Sequence, residues 1–344
     1  MLETLAVPIV QAPMAGGPST PELAVAVADA GGLGFLAAAL KTPEGVAADV
    51  AAVRAGAPGA PFGVNVFVPS GTPAAPEVVA AYAERLAGEA ERAGVALGTP
   101  VHDDDLFAAK VALLVDDPVP VVSFTFGCPD DDVLGALRDA GSRIWITVTD
   151  PDEAERAARA GADALIVQGV EAGGHRGAWA DRPDAVDYGV LALLQLVRDR
   201  VGGDVPLVAA GGIATAAGVE AVLVAGAAAA QVGTAFMLCP EAGTPPAHRA
   251  AIADPTSVTG LTRAFSGRLA RGIVNRIQRD HSAEAPIAYP EVVKLLGPLR
   301  ARGLATGDAD LTNLWAGEAH ALARALPAAE VVALLTPAGR PGRP

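Results

Sequence analysis

Residues 206–234 read PLVAAGGIATAAGVEAVLVAGAAAAQVGT, and this stretch contains the repeating unit of the chain. The runs 206–211 and 229–234 are short and apolar, which is typical of strands buried on both faces. The alanine-rich residues between them favour a helix. Two buried strands joined through a helix predict a parallel pair with a crossover connection.

The same unit recurs along the whole chain of 344 residues. Apolar runs predict eight strands, at residues 7–12, 33–38, 62–67, 120–126, 143–148, 164–169, 206–211 and 229–234. Because each run is followed by a helical pattern or a long connection, the chain is predicted to be an α/β protein with a (β/α)8 TIM barrel. A doubly wound open sheet is the alternative, and it is weakened because no G-x-G-x-x-G follows the first strand.

Two of the predicted helices have clear boundary signals. Ser19 or Thr20 can cap the helix that starts at Pro21. Asp150 stands in the same position before the helix that follows the fifth strand, and Gly161 marks the end of that helix.

Two segments interrupt the alternation and predict insertions. Residues 70–118 are proline-rich at their start and then helical. Residues 240–300 are predicted to be a helical insertion after strand eight that packs near the active-site mouth of the barrel. The barrel itself is assigned to residues 1–239, with its last helices at 301–336, and the tail 337–344 is predicted to be disordered.

The net charge of −14 argues against nucleic acid and anionic membranes as partners, because both require a basic surface. Only two cysteines are present, which fits a reducing cytosol rather than a disulfide framework. The N-terminus lacks a basic signal region, and no apolar run is long enough to span a bilayer. We therefore expect a cytoplasmic protein, and the sequence is compatible with an oligomer.

Glycines end the seventh and eighth strands, in AAGGIAT and in QVGTAF. Each leads into a helical segment, so several backbone N–H groups are left unpaired at a helix N-terminus, which favours an anion. In TIM barrels the loops at these two strands often hold phosphate. We expect the N–H groups of Gly212, Gly233 and Thr234 to bind a phosphate group. For the motif AGGI taken alone, a tight turn without a ligand is the more common alternative.

Two amide side chains, Asn65 and Gln168, stand at strand ends where a core would take Val or Ile. An amide offers a donor and an acceptor in one plane, which suits the edge of a flat heteroaromatic ring. For either residue alone, hydrogen bonding to loop backbone is an equal alternative. Together with a phosphate site, the two amides predict flavin mononucleotide (FMN) over the barrel mouth.

The loop after strand six, QGVEAGGHRG, carries His175 among glycines. Glycines let the backbone approach a ligand closely, and a histidine there titrates near neutral pH, so His175 is the candidate acid or base. The other histidines fall in acidic or helical patterns typical of a surface: His102, His248, His281 and His320. No pair of histidines has metal-ligand spacing, so no metal site is predicted.

The order of these motifs resembles the nitronate monooxygenase family, formerly called 2-nitropropane dioxygenase. The similarity runs through PIVQAPMAGGPSTPELAVAVADAGGLGFLAAA, FGVNVF, SFTFG, QGVEAGGHRG, AAGGI and QVGTAF, and continues into FSGRLARGIVN, AYP and LWAGEA. It therefore covers nearly the whole chain. The resemblance implies an FMN-containing TIM barrel that uses O2 to convert alkyl nitronates, such as propionate 3-nitronate, to carbonyl compounds and nitrite.

The resemblance also implies roles for individual residues. His175 would be the catalytic histidine. The residues that would contact FMN are Asn65, Gln168, Gly173, Gly212, Gln231, Val232, Gly233 and Thr234.

Two positions depart from the family pattern. Glu318 in LWAGEA stands where the family has Gln, and EVVKLL follows AYP where members often carry an aromatic or histidine-bearing segment. An FMN-dependent enoyl-acyl-carrier-protein reductase that uses NAD(P)H is the first alternative, because it shares the barrel, the APM opening and the AGGH loop. FSGRLARGIVN, AYP and LWAGEA favour the monooxygenase. A flavin-free barrel that binds a phosphorylated metabolite is the second alternative.

Overall fold

The computed structural model describes residues 2–69 and 72–338, and it contains all eight predicted strands. They form one parallel sheet: β1 Ile9–Gln11, β2 Gly34–Ala37, β3 Phe62–Phe67, β4 Val121–Thr125, β5 Arg143–Val148, β6 Ala164–Gln168, β8 Leu207–Ala210 and β9 Ala229–Val232. A second, antiparallel sheet contains β7 Gly174–His175, β10 Thr259–Thr262 and β11 Ala270–Ile273. Of the tail predicted to be disordered, residues 339–344 lie outside the described residues.

The parallel sheet runs in the order β1-β9-β8-β6-β5-β4-β3-β2, and its two edges meet. Val10 bridges Leu33, directly before β2. The Gln11 N–H donates to the Leu33 carbonyl at 2.9 Å, and the Leu33 N–H donates to the Ile9 carbonyl at 3.0 Å. These bonds close the sheet into the predicted (β/α)8 barrel, so the open-sheet alternative is wrong.

The described residues contain these α-helices: α1 Pro21–Asp29, α2 Pro43–Gly56, α3 Pro76–Ala93, α4 Phe107–Asp116, α5 Asp131–Asp139, α6 Pro151–Arg159, α7 Val190–Val201, α8 Ala216–Val224, α9 Pro246–Ala253, α10 Arg276–His281, α11 Glu291–Leu295, α12 Gly297–Thr306 and α13 Ala328–Leu335. Helix α13 packs on α1 and α8, so it completes the ring of barrel helices. None of the helices among the described residues has the length and apolar composition needed to cross a bilayer.

The structure confirms the predicted boundaries of α1 and α6. Thr20, rather than Ser19, caps α1, because its hydroxyl accepts from the Leu23 N–H at 3.0 Å. Asp150 caps α6 by accepting from two N–H groups of the first turn. Gly161 follows that helix with φ +79°, a conformation that favours glycine.

Aromatic side chains fill the lower part of the barrel interior. Phe35 and Trp145 are buried, with ring centroids 5.6 Å apart. The space comes from Gly63, where an added Cβ would lie 2.2 Å from the Phe35 ring. Nearer the carboxyl ends of the strands the lining becomes polar and includes Asn65 and Thr125. The site therefore lies above a barrel interior that is filled by side chains.

The two insertions pack on each other and form a cap. Helix α3, from the first insertion, contacts α11 and α12. The shared core is apolar, and its buried members include Val79, Tyr82, Leu86, Phe265, Ile277, Val292, Leu295, Leu296 and Leu299. The Tyr82 hydroxyl also donates to the Ala264 carbonyl at 2.7 Å.

The segment predicted to be a helical insertion, residues 240–300, is of mixed structure. It holds α9, α10 and α11, but also the hairpin of β10 and β11. Strand β11 pairs in turn with β7 from the barrel loop. Among the predicted C-terminal barrel helices, α13 lies on the barrel, whereas α12 lies in the cap. The pairing of β11 with β7 joins the cap to the loop that carries His175.

Candidate active site

A cavity of about 550 Å³ lies between the carboxyl ends of the barrel strands and the cap. The structure brings all nine predicted site residues to its wall: Asn65, Gln168, Gly173, His175, Gly212, Gln231, Val232, Gly233 and Thr234. Their proximity follows from the barrel, because every loop that follows a strand opens on the same face.

The glycine turns at β8 and β9 leave backbone donors open to the cavity. Gly211 and Gly212 have φ of +113° and +68°, so the turn favours glycine. Among the described residues, no acceptor is bonded to the N–H groups of Gly212, Gly233 and Thr234. Glu171 lies behind the turn, but its carboxylate is bonded to the Val190 N–H at 3.0 Å. The wall therefore offers unopposed donors to an anion.

The two amides differ in how much of their bonding capacity is used. Gln168 donates to the His175 carbonyl at 3.1 Å and accepts from the Gly177 N–H at 2.7 Å, so it fastens its own loop. Asn65 donates to the hydroxyls of Ser123 and Thr125, at 2.9 and 3.0 Å. The side-chain oxygen of Asn65 accepts no hydrogen bond within the described part of the chain, in contrast to its backbone carbonyl, which accepts from the Ala38 N–H at 2.9 Å. Gln231 likewise has a side-chain oxygen with no partner there.

His175 lies in a pocket of aromatic rings. The ring centroids of Phe126, Tyr289 and Trp315 lie 5.7, 5.6 and 5.5 Å from the imidazole. Burial lowers the pKa of His175 to about 3, and the positive charges of Arg268 and Arg300 act in the same direction. The expectation of titration near neutral pH is therefore wrong for this structure, and the imidazole is neutral at pH 7.

The position of His175 is fixed by pairing with the cap. In the register of β7 and β11, His175 faces Ala270 and Gly174 faces Arg271. Gly173 is in close contact with the LWAGEA segment, since an added Cβ would lie 2.5 Å from the Gly317 nitrogen. This contact explains the requirement for glycine at this position.

Glu318, one departure from the family pattern, has a structural partner. Its carboxylate lies 2.9 Å from the Arg271 guanidinium, and its N–H donates to the Glu171 carbonyl at 3.0 Å. Glu318 does not line the cavity, whereas its neighbours Gly317 and Ala319 do. In this chain Glu318 therefore contributes to the attachment of the cap and not to the cavity wall.

Three histidines that the sequence placed at the surface are largely buried. His248 and His320 are 7% and 4% exposed and both line the cavity. His281 contacts the buried Glu89 at 3.5 Å. The patterns around them resemble exposed helix faces, and the cap that covers them could not be inferred from local sequence. Ser266, Tyr289, Arg300 and Trp315 also line the cavity. Ser266, Tyr289 and Trp315 belong to the motifs FSGR, AYP and LWAGEA. These motifs were the sequence signal from which the three residues could have been assigned to the site.

The charge of the cavity wall is opposite to that of the chain. The described residues lining it include the guanidinium of Arg300 but no Asp or Glu. The Arg300 guanidinium donates to the Val293 carbonyl at 2.9 Å, which leaves its charge without a carboxylate partner among the described residues. In a chain of net charge −14, this wall is suited to an anionic ligand.

The family model for nitronate monooxygenase matches residues 1–338. A nitronate monooxygenase of Pseudomonas aeruginosa is 40% identical, over 95% of each chain. The solved nitroalkane oxidase of Streptomyces ansochromogenes is 49% identical with a TM-score of 0.92, covering 97% of this chain and 96% of the other. FabK of Thermotoga maritima has a TM-score of 0.75 at 24% identity, covering 97% and 93%, and shows the fold alone. The chain is thus an oxidoreductase that belongs to the nitronate monooxygenase family.

Proposed function

We propose that the protein binds FMN and uses O2 to oxidise alkyl nitronates, such as propionate 3-nitronate, to carbonyl compounds and nitrite. The observation that carries the proposal is the carboxylate-free cavity wall, which combines open N–H donors, Arg300 and a neutral His175. Both FMN and a nitronate are anions, so one wall suits both.

The residues present fit the cofactor. The N–H groups of Gly212, Gly233 and Thr234 would hold the phosphate. The buried side-chain oxygen of Gln231 needs a donor, and the ring N–H or a ribityl hydroxyl of a flavin would supply it. The Asn65 side chain lines the same wall and would offer its oxygen to the flavin as well. When bound, the flavin supplies the ability to accept electrons from the substrate.

The remaining chemistry falls to side chains of this chain. Arg300 would hold the nitronate anion through its positive charge. The rings of Phe126, Tyr289 and Trp315 exclude water, which strengthens that attraction. His175 would orient a nitronate, and being neutral it could also remove the α-proton of a nitroalkane.

The test starts with the purified protein as isolated. We expect a yellow protein that releases FMN on heating, consumes O2 with propionate 3-nitronate and forms nitrite. Anaerobic addition of the nitronate should change the flavin absorbance. A colourless protein would support the flavin-free alternative, and rapid oxidation of NAD(P)H without nitrite formation would support the reductase.

A further inference from the structure

The hydrogen bond between His175 and Ser266 decides which ring nitrogen carries the proton. The Nε2 atom of His175 lies 2.9 Å from the Ser266 Oγ. A serine hydroxyl has one proton to donate, so its other contacts determine its role towards the imidazole.

Those other contacts leave the hydroxyl only one choice. Ser266 Oγ accepts from the Arg268 N–H at 3.3 Å and lies 3.0 Å from the carbonyl oxygen of Arg268, which can only accept. Among the described residues, that carbonyl has no other donor. If the hydroxyl proton pointed to the imidazole, a buried carbonyl would be left unpaired, which is costly. The hydroxyl therefore donates to Arg268 and accepts from His175.

We propose that Ser266 is a positioning residue that places the imidazole proton of His175 on Nε2 and so leaves Nδ1 as the atom that accepts the substrate proton. The His175 ring lines the cavity, and Nδ1 has no hydrogen-bond partner among the described residues. The identity of the substrate rests on the proposed function, whereas the tautomer is a property of the chain itself.

Burial, hydrogen bonds and close contacts hold the turn that carries Ser266 in place. Ser266 is 2% exposed, and its N–H donates to the Arg263 carbonyl at 3.1 Å. Gly267 follows with φ +74°, and an added Cβ there would lie 2.2 Å from the Ala288 carbonyl oxygen. Arg263 is itself held by both carboxylate oxygens of Asp181.

The proton transfer is balanced without a further reagent. The α-C–H bond of a neutral nitroalkane breaks, its electron pair stays on the substrate as the nitronate, and the proton forms a bond to Nδ1. The imidazolium so formed keeps its Nε2–H bond to Ser266. Its other charged surroundings are the guanidiniums of Arg268 and Arg300 and the carboxylate of Asp181, and the Tyr289 phenol packs beside it.

The tautomer can be measured directly on the ¹⁵N-labelled holoprotein. Two-bond ¹H–¹⁵N correlations distinguish the two neutral forms, and the histidine that disappears in His175→Asn identifies the signals. We expect Nε2–H in the wild type and a mixture of both tautomers in Ser266→Ala. An Nδ1–H form in the wild type would overturn the proposal, as would an unchanged pattern in Ser266→Ala.

Kinetics then separate proton transfer from general damage. With nitroethane, kcat in Ser266→Ala should fall several-fold, which is well short of the about 10²–10⁴-fold that a positioned base contributes, because a mixture of tautomers still contains the Nε2–H form. Pre-formed ethylnitronate needs no proton removed and should lose much less, and Ser266→Thr should restore part of the loss. Equal losses on both substrates would mean a merely structural role, and a wild type that never uses nitroethane would overturn the role of Nδ1.

Ser142→Ala is the matched control. Ser142 is also buried and its hydroxyl donates to the Val119 carbonyl at 2.7 Å, but it does not line the cavity. It should change neither the tautomer nor the substrate ratio. Failure of the proposed function would appear differently, as absent FMN or absent nitronate turnover, while the tautomer of His175 could still be read.

Discussion

Replacing Gly212 by valine tests the phosphate site at its most constrained position. Gly212 has φ +68°, and an added Cβ would lie 3.0 Å from the Glu171 Cβ. A β-branched residue is strained in this region of backbone space. The turn must therefore shift, and the N–H group that is open to the cavity must turn with it.

Two separate costs follow. The strain costs about 1–3 kcal/mol, and it is present with or without FMN, so it lowers the free energy of unfolding. The lost hydrogen bond to a charged group costs about 1.5–3 kcal/mol, and it appears only in the complex. At about 1.4 kcal/mol per factor of ten, the Kd for FMN should rise by about 10-fold to 10²-fold.

Gly94→Val isolates the strain. Gly94 ends α3 with φ +65°, nothing lies within 4 Å of an added Cβ, and it is not part of the cavity wall. Titration of apoprotein with FMN, followed by flavin fluorescence, gives the Kd, and thermal unfolding gives the stability. We expect both variants to be destabilised and only Gly212→Val to bind FMN more weakly. If Gly212→Val kept wild-type affinity, the phosphate site would be misplaced.

Three further outcomes are expected. Gly63→Ala should lower the free energy of unfolding by about 1–3 kcal/mol, because the added Cβ would press on the Phe35 ring. Gly135→Ala, on an open helix face, should raise the free energy of unfolding slightly. Equal effects of the two substitutions in chemical unfolding would contradict this packing. His175→Asn should lower turnover of a neutral nitroalkane by about 10²–10⁴-fold, affect a nitronate less and retain FMN, as checked by nitrite assay and absorbance. Because the pKa of His175 is about 3 in the folded protein, the folded residue stays neutral at pH values where the unfolded residue binds a proton. The free energy of unfolding should therefore fall as the pH is lowered from about 6.5 towards about 3. His175→Asn should lose less stability over this range, as measured by unfolding at a series of pH values.

The sequence predicts the barrel well because its signals are local. Each strand is a short apolar run, and caps such as Thr20 and Asp150 act within one helical turn. The strand ends share one face in any such barrel. Asn65, Gln168 and the glycine turns could therefore be placed at one site before the structure was known.

The cap could not be predicted in the same way. An amphipathic pattern identifies α3 as a helix with an apolar face, but it does not say that α11 and α12 cover that face. Strand β7 has only two residues, and its pairing with β11 depends on the hairpin. The burial of His248 and His320 follows from the same long-range packing.

The low pKa of His175 could not be predicted from sequence for a related reason. A glycine-rich loop suggests an open position, and an exposed imidazole titrates near neutral pH. Here the rings that surround His175 come from three segments that are distant in sequence, and they are those of Phe126, Tyr289 and Trp315. Only their convergence removes the water around the imidazole.

The charges around the cavity bear on two requirements of the proposed reaction. The carboxylates of an acidic chain are screened beyond about 8 Å at physiological salt, so the wall itself decides which ligands are attracted. Arg300 in that wall favours an anion. Burial lowers the pKa of His175, and the charges of Arg268 and Arg300 act in the same direction. A protonated histidine could not accept a proton from the substrate. In the proposed reaction, the positive charge that favours the anionic product would also lower the proton affinity of the imidazole, so His175 would stay neutral at the expense of its strength as a base.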